Sequence, residues 1–307
     1  MLSNPSISSA LALTLLALLA LPSISASVNS KGWLPTRHAT ENTRWAREAV
    51  ANLSQWRSSL FERIQRYVVL KDNEVKLPGR ERYEPFQPFI SCPPNRPLQR
   101  VGPEGDGGKW LCGMDRLSSP CTVISVGSNN DYRFEEAALA DTNCQVVTLD
   151  CTVKEGKSLE TRHRFFKKCL ASRTLAPERA DFMTYAQLTS QLGLPKGAAP
   201  LLKMDAENYE FPVFAEWAEN TPHLPEQIAV EIHYLSYGNK LSAGFPLFGR
   251  LPGFTVTDLA LFFGHMANLG YGIVSKEDNP ECPDCSEYTL YRVESSRFEK
   301  PRSSWFG

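Results

Sequence analysis

Acidic and histidine side chains follow two apolar runs of strand length. Asp205 and Glu207 come directly after the run at residues 201–204, and His233 follows the run at residues 228–232. In open α/β sheets, ligands bind outside the carboxyl ends of the strands, so these side chains are expected at a ligand cleft. Carboxylates and imidazoles are groups that take a proton from a reacting hydroxyl. The sequence therefore predicts Asp205, Glu207 and His233 as catalytic residues.

A glycine followed by small polar residues ends another apolar run. Gly127, Ser128, Asn129 and Asn130 separate this run from a helical segment, and the next apolar run ends at Asp150. Glycine lets the backbone approach a ligand, and an acid after the second strand can accept hydrogen bonds from ribose hydroxyls. These five residues are predicted to bind a nucleoside-containing cofactor. A plain left-handed turn, with Asp150 as a helix N-cap, is the structural alternative.

Lys203 lies inside the apolar run at residues 201–204. Burying its ammonium group is costly unless a carboxylate pairs with it. Asp205 and Glu231 are the candidate partners.

The elements that would position these residues form an alternating series. From residue 121 onward, short apolar runs alternate with helix-length intervals, which is typical of βαβ units and a mainly parallel sheet. The last two runs, at residues 271–274 and 288–293, are separated only by a Cys/Pro loop, so an antiparallel hairpin at the sheet edge is expected. The predicted fold is α/β and Rossmann-like, preceded by N-terminal helices.

The N-terminal region divides into two predicted parts. Residues 1–26 contain an apolar run followed by Pro22 and small residues, which is typical of a cleaved signal peptide. No Lys or Arg occurs before Lys31, so an uncleaved membrane anchor stays open. Residues 27–88 are predicted to be a helical extension with a Pro-rich connector, and residues 89–300 the main domain. A secreted protein or one of the ER/Golgi lumen is expected, without stable membrane insertion after cleavage.

The eight cysteines are an even number, which fits an oxidising compartment. Their connectivity is left open, although a structural disulfide suits both Cys92 with Cys112 and the CPDC of Cys282 and Cys285. No second pair with zinc-ligand spacing is evident, so no metal site is expected. Asn52 opens an N-x-[ST] sequon, and its glycosylation is predicted.

Composition and charge narrow the class of partner. Hydrophobic residues make up 42% of the 307 residues, which is enough for a folded core. With 33 Lys and Arg against 34 Asp and Glu, the net charge is −1. No basic field attracts phosphate backbones, so nucleic acid is not an expected partner.

Several segments together resemble a known enzyme family. LLKMDAENYEFPVF and IAVEIH resemble the paired LKxDxExxE and xxEIH segments of FkbM-type methyltransferases. VISVGSNNDYRFEEA, GDGGKWLC and LGYGIVSKEDNPECPDCSEYTLYRV resemble a eukaryotic branch of methyltransferase-like proteins with secretory signals. The similarity covers about residues 89 to 293. The resemblance implies a class I methyltransferase fold that binds S-adenosylmethionine at the Gly127 loop, with Asp150 on the ribose and Asp205 and Glu207 facing the cleft.

The same resemblance implies a reaction and leaves an alternative. A secretory-pathway enzyme of this kind is expected to O-methylate a hydroxyl of a glycan or small molecule. In this chain, however, Ser128, Asn129 and Asn130 replace small glycines, and Asn208 stands where the family has glycine. These departures motivate the alternative of a catalytically inactive, secreted Rossmann-like binding module. A nicotinamide-dependent oxidoreductase is disfavoured because GxGxxG is missing.

Overall fold

The computed structural model describes residues 37–69, 79–117, 119–195, 198, 200–233 and 255–293. The elements in chain order are α1 (Arg37–Val69), β1 (Leu98–Val101), β2 (Lys109–Cys112), β3 (Thr122–Val126), α2 (Arg133–Asp141), β4 (Gln145–Leu149), β5 (His163–Phe166), β6 (Cys169–Leu170), β7 (Phe182–Met183), α3 (Tyr185–Leu192), β8 (Leu201–Met204), α4 (Glu210–Ala215), β9 (Gln227–His233), α5 (Val256–Asn268), β10 (Tyr271–Asp278) and β11 (Cys285–Arg292).

A seven-stranded sheet in the order β10-β11-β9-β8-β3-β4-β5 forms the centre of the fold. The strands β5, β4, β3, β8 and β9 run parallel to their neighbours, and β11 runs antiparallel to both β9 and β10. Consequently the chain leaves β3, β4, β8 and β9 at one edge of the sheet. This shared edge brings residues from distant parts of the chain together.

The central strands are largely apolar, and both faces of the sheet are covered. Every residue of β8 and β9 is buried, and so are the last four residues of β3 and β4. Continuous apolar runs of this kind are typical of parallel strands covered on both faces.

Helices α1 and α5 pack against the sheet core. A capping box between Thr255 and Asp258 begins α5, because each side chain bonds the other residue's backbone N–H. Phe263 of α5 stacks on Phe86 at a centroid distance of 4.6 Å, and Trp56 of α1 stacks on Phe89 at 5.0 Å. The long amphipathic helix is thereby fixed to the main domain through aromatic contacts.

Four disulfides pair all eight cysteines. They join Cys92 to Cys112, Cys121 to Cys144, Cys151 to Cys169, and Cys282 to Cys285. The first and last agree with the pairs that the sequence suggested. Two others connect the starts of β3 and β4, and the end of β4 to β6. The Cys151–Cys169 and Cys282–Cys285 cross-links lie at the edge of the sheet where the candidate site lies, whereas Cys121–Cys144 lies at the opposite edge.

The architecture confirms the predicted α/β Rossmann-like fold, with its mainly parallel sheet, N-terminal helix and C-terminal antiparallel strands. The hairpin, however, places β11 inside the sheet and leaves β10 at the edge. The predicted signal peptide lies outside the described residues, and the predicted domain boundaries stay predictions. Among the described helices, none is long and apolar enough to cross a membrane.

Candidate functional site

A cavity of about 420 Å³ opens at the carboxyl edge of β3, β8 and β9. Its walls come from the loops after these strands, from β4, from β6 and from the hairpin that precedes β11. Its lining includes Gly127, Ser128, Asn129, Asp131, Asp150, Thr152, Leu170, Lys203, Asp205, Glu207, Glu231, His233, Asn279, Glu281, Cys282 and Cys285. A cavity of this size is in the range that holds a cofactor-sized ligand.

Gly127 makes the sharp exit from β3 possible. Its φ is +79°, in the left-handed region, and its N–H donates to the carbonyl of Leu149 at 2.9 Å. A Cβ at this position would lie 1.7 Å from the backbone oxygen of Asp205. The sequence predicted that glycine lets the backbone approach a ligand. In the structure, the backbone of Gly127 approaches the backbone of Asp205 after the neighbouring strand β8. The loops that follow β3 and β8 are therefore in contact at this glycine.

Asp150 holds the loop after Gly127 in place. Its Oδ2 accepts hydrogen bonds from the backbone N–H groups of Ser128 at 3.0 Å and Asn129 at 2.7 Å. Its Oδ1 accepts from the N–H and hydroxyl of Thr152 at 2.8 and 2.6 Å. A carboxylate offers about four lone-pair positions, and protein donors fill them all. Asp150 therefore shapes the loop, and its predicted contact with a ribose stays a prediction.

Asparagines adopt left-handed backbone conformations at three positions where the resembled family has glycine. Asn129 has φ +46° and Asn130 has φ +63° in the first loop, and Asn208 has φ +80° after β8. Asparagine tolerates this left-handed region better than most residues because its short amide bonds locally. The asparagines thus take φ values that glycine also takes. This finding weakens the argument from sequence for an inactive module.

Lys203 lies between the two loops. Its ammonium group donates to the carbonyl oxygen of Gly127 and lies 3.8 Å from Oδ2 of Asp205. The predicted carboxylate partner is therefore Asp205, and a backbone carbonyl is a closer one. Because the side chain is only 7% exposed, both contacts compensate for the loss of hydration.

Four carboxylates surround His233. Its Nε2 is 3.8 Å from Asp205 Oδ1, 3.8 Å from Glu207 Oε2 and 3.9 Å from Glu231 Oε2, and its Nδ1 is 3.4 Å from Glu210 Oε1. The residue is 3% exposed. Burial would lower the pKa of His233, but these carboxylates, led by Glu210, raise it well above its usual value. The surrounding carboxylates thus favour the protonated imidazole, and the catalytic role predicted for His233 stays a prediction.

The two other predicted catalytic residues differ in basicity. Burial raises the pKa of Asp205, but Lys203 and Lys109 outweigh it and hold the pKa below its usual value. Burial raises the pKa of Glu207, and the His233 charge only partly opposes this shift. A raised pKa makes a carboxylate a better proton acceptor. Glu207 is therefore the stronger general-base candidate of the three.

Two buried acids behind the cluster were not predicted as site residues. Burial, together with the nearby Asp205 and Glu287 carboxylates, raises the pKa of Glu231 to about 8. Glu287 of β11 pairs with Lys109 of β2, which is 2% exposed. Burial raises the pKa of Glu287, against the effect of Lys109. The signal available in the sequence was a charged residue flanked by apolar neighbours in a strand, as Glu231 is in AVEIH, whereas Glu287 in SEYTLY follows a serine and gives no such signal.

The Cys282–Cys285 disulfide forms part of the cavity wall beside this cluster. The same hairpin supplies Asn279, whose amide donates to Glu231 Oε1 at 2.8 Å. The hairpin therefore forms one side of the cavity in addition to the last two strands of the sheet.

Seven of the eight predicted site residues line the cavity: Gly127, Ser128, Asn129, Asp150, Asp205, Glu207 and His233. Asn130 is exposed outside the lining, and its side chain accepts a bond from the Tyr132 hydroxyl at 3.2 Å. The structure brings the predicted cofactor residues and the predicted catalytic residues to one place. Their assigned roles stay predictions.

A family of known proteins matches most of the chain. Residues 63–292 match the family described as "Methyltransferase domain". Among solved structures, the chain is similar to a 16S rRNA (adenine(1408)-N(1))-methyltransferase from Catenulisporales acidiphilia, at 13% identity and TM-score 0.34, covering 64% of this chain and 98% of that one. It is also similar to the antibiotic-resistance methyltransferase Kmr, at 13% identity and TM-score 0.33, covering 63% and 100%. No curated protein matches the chain in sequence.

Proposed function

The chain belongs to the methyltransferase-domain family, and we propose that it transfers a methyl group from S-adenosylmethionine to a hydroxyl of a glycan or small molecule in the secretory pathway. One observation carries this proposal. The Gly127 loop and the carboxylate of Glu207 open into a single cavity of about 420 Å³. Transfer between two bound molecules depends mainly on holding them together.

The residues present fit a methyl donor of this kind. Leu170 supplies an apolar wall, and the loop residues Gly127 to Asp131 supply a polar one. The Glu207 carboxylate lines the cavity with its side chain 35% exposed, and its Oε2 has no hydrogen-bond partner among the described residues, so the carboxylate has lone pairs available for an acceptor proton. When bound, S-adenosylmethionine supplies an electrophilic methyl group. The loop held by Asp150 would position it.

The protein's own contribution to the chemistry is proton removal from the acceptor. Glu207 is 35% exposed to the cavity and has a raised pKa, so it can accept the hydroxyl proton as the new bond forms. The protonated His233 at 3.8 Å stabilises the ionised form of Glu207 before the reaction. General-base assistance of this kind contributes roughly 10²–10⁴-fold to a rate.

The acidic rim of the cavity favours a neutral acceptor over a polyanion. Asp106, Asp131 and Glu281 line the cavity, and all three are exposed. Such groups repel phosphate backbones, and the whole chain has a net charge of −1. Pairing of all eight cysteines supports an oxidising compartment. A small-molecule or glycan acceptor in the secretory pathway is consistent with both features.

Calorimetric titration of the oxidised protein with S-adenosylmethionine and S-adenosylhomocysteine tests the proposal. We expect micromolar binding by the wild type. Asp150→Asn should weaken binding at least about tenfold, because the loop N–H groups lose a charged acceptor. Glu207→Gln should bind normally, yet transfer a labelled methyl group to a panel of glycans at least about 100-fold more slowly.

The two variants separate the cofactor half of the site from the acceptor half. Absence of any heat with the wild type would contradict methyl-donor binding and favour the inactive binding module. Normal transfer by Glu207→Gln would remove Glu207 from the role of base while leaving the donor site intact.

A further inference from the structure

The Cys282–Cys285 disulfide closes a much shorter loop of chain than the other three disulfides do. Its cysteines are 3 residues apart in sequence, whereas the cysteines of the other pairs are 18, 20 and 23 residues apart. A disulfide removes less conformational entropy from the unfolded chain when the loop that it closes is shorter. By this effect, the Cys282–Cys285 disulfide contributes the least of the four to the stability of the fold.

Hydrogen bonds hold the turn that carries these two cysteines. The N–H of Cys285 donates to the carbonyl oxygen of Cys282 at 3.0 Å, which is the bond that closes a β-turn. Pro283 occupies the second position of this turn, where its fixed φ is favourable. Just before the turn, the N–H of Glu281 donates to Oδ1 of Asn279 at 2.9 Å. The backbone of the turn is therefore held by contacts that do not depend on the disulfide.

The two cysteines of this disulfide differ in exposure. Both line the cavity, but Cys285 is only 2% exposed, whereas Cys282 is half-buried. The rate of thiol–disulfide exchange depends on which sulfur an attacking thiolate can reach. A thiolate in the cavity therefore reaches Cys282 more readily, and attack at Cys282 expels the sulfur of Cys285.

The buried sulfur lies beside a histidine and an acid. Cys285 of β11 is directly opposite His233 of β9, and Sγ of Cys285, a ring nitrogen of His233 and a carboxylate oxygen of Glu231 all lie within 4.8 Å of one another. Although burial lowers the pKa of His233, the surrounding carboxylates raise it well above its usual value, which favours the imidazolium. Burial and nearby carboxylates raise the pKa of Glu231 to about 8, so this acid keeps its proton at neutral pH. A cation beside a cysteine stabilises its thiolate, so Cys285 is suited to leave.

We propose that Cys282–Cys285 is a redox-active disulfide that exchanges with dithiols entering the cavity. A thiolate of the dithiol attacks Sγ of Cys282, the bond between the two cysteine sulfurs breaks, and its electron pair leaves on Sγ of Cys285, which faces His233. The second thiolate of the dithiol then attacks the dithiol sulfur that is bonded to Cys282, and Cys282 leaves as a thiolate.

The exchange is balanced by the dithiol itself. The dithiol loses two electrons and two protons and becomes a disulfide, while the protein disulfide gains two electrons and its two cysteines take up two protons. The sequence suggested a structural disulfide for this pair, and the exchange is an additional role. It stands independently of methyl transfer, since it requires neither a methyl donor nor an acceptor.

A time course of reduction of the full oxidised chain tests the proposal. The folded protein is treated with dithiothreitol, samples are quenched with iodoacetamide, and mass spectrometry measures the reduced fraction of each disulfide. We expect Cys282–Cys285 to be reduced at least about tenfold faster than Cys151–Cys169. Cys151–Cys169 is the internal control because Cys169 also lines the cavity. Reduction of Cys282–Cys285 no faster than that of Cys151–Cys169 would overturn the proposal.

A histidine variant tests the part that His233 plays in expelling Cys285. His233→Gln should slow the reduction of Cys282–Cys285 at least about threefold, because the leaving thiolate loses its cation, and should leave the rate of Cys151–Cys169 unchanged. His265→Gln is the matched control, since His265 lies outside the cavity lining, and both rates should stay as in the wild type. An unchanged rate in His233→Gln would overturn the assignment of Cys285 as the leaving sulfur.

The wild-type time course guards against loss of folding. If His233→Gln does not fold, all four disulfides become reducible together, and the comparison of disulfides within the wild type then decides alone. Neither experiment contains a methyl donor, so either outcome leaves methyl-donor binding untouched.

Discussion

The two sides of the cavity treat their polar groups differently. On the loop side, which consists of residues 127–131 with Asp150 and Thr152, the Asp150 carboxylate bonds protein donors through both oxygens. On the cluster side, which consists of residues 205–210 with Glu231 and His233, buried atoms lack hydrogen bonds. Among them are Glu207 Oε2, Glu210 Oε2 and both polar atoms of the Asn208 side chain.

This difference indicates what each side is built to do. A fully bonded loop is already in its final shape, and a ligand binds to it without rearranging it. Unpartnered buried carboxylates and amides are costly in stability, and such costs are typical of functional sites. The loop side is thus a preformed platform. The cluster side has unbonded polar atoms that can take a proton or bond an acceptor.

Breaking the contact between the two sides should have the largest effect. Gly127→Ala adds a Cβ that would lie 1.7 Å from the Asp205 backbone oxygen, at a φ of +79°. Because backbone cannot move aside as a side chain can, we expect a loss of more than about 4 kcal/mol in the free energy of unfolding, or no folding. Chemical denaturation measures the loss.

Gly193→Ala is the matched control for this substitution. Gly193 also has a left-handed φ, +62°, but nothing lies within 4 Å of its Cβ position. Conformational strain alone should therefore cost about 1–2 kcal/mol. Equal losses in the two variants would mean that the contact between Gly127 and Asp205 does not hold the two sides together.

Raising the pH should weaken the cluster side. The pKa of Glu231 is about 8 in the folded protein and 4.5 as its model value, so the unfolded chain ionises first. The stabilising effect is complete below about pH 4.5 and is lost as pH rises toward 8. Between about pH 5 and pH 7.5, the expected loss in the free energy of unfolding is about 3 kcal/mol, since one pKa unit corresponds to about 1.4 kcal/mol.

Denaturation at several pH values distinguishes Glu231 from its neighbours. The Glu231→Gln variant cannot ionise there, so its stability should decline less over this range than that of the wild type. Glu219→Gln, at an exposed position, should keep the wild-type slope. Parallel slopes for all three proteins would show that Glu231 does not hold a proton in the folded state.

Lowering the pH should instead weaken the region beneath the loop side, by a smaller amount. His163 is 2% exposed, its Nδ1 accepts from the Leu159 N–H at 3.0 Å, and its Nε2 lies 2.8 Å from the Thr148 hydroxyl. Burial lowers the pKa of His163, so its contribution to stability is lost as pH falls below 6.5. Protonated Nδ1 cannot accept, and the lost bond is worth about 1 kcal/mol.

His163→Gln should reduce this acid sensitivity in thermal unfolding between about pH 7 and pH 5. The control is His265→Gln, because His265 faces the carbonyl of Phe214 at 3.0 Å, and protonation leaves that donor bond intact. If both variants keep the acid sensitivity of the wild type, the neutral His163 does not account for it.

Local patterns in the sequence were sufficient for six of the strands and for most lining residues, but not for β1, β2 or β5. Apolar runs of strand length predicted β3, β4, β8 and β9, because continuous burial in a parallel sheet leaves that pattern. The placement of Gly127, Asp205 and His233 at strand ends followed from the same runs. The short strands β6 and β7 have two residues each, and no periodicity is detectable over that length.

Roles were harder to predict than positions. The sequence predicts that Asp150 binds a ribose, and the structure adds that its oxygens bond Ser128 and Asn129, because the turn directs those N–H groups back at β4. The sequence also predicts His233 as a catalytic residue, and the structure adds four carboxylates around it that raise its pKa. In both cases the chemistry depends on neighbours that the local sequence does not contain.

The sequence by itself determined the alternation of six strands with helices, the glycine and asparagine positions of the two loops, and the edge of the sheet where acids collect. These features are set by residues close together along the chain. Only the tertiary structure decided that four carboxylates surround His233, that Lys109 pairs with Glu287 across 178 residues, and which cysteines join. The physical reason is that charge balance and burial depend on which strands become neighbours, and hydrophobic packing of the whole sheet fixes that choice.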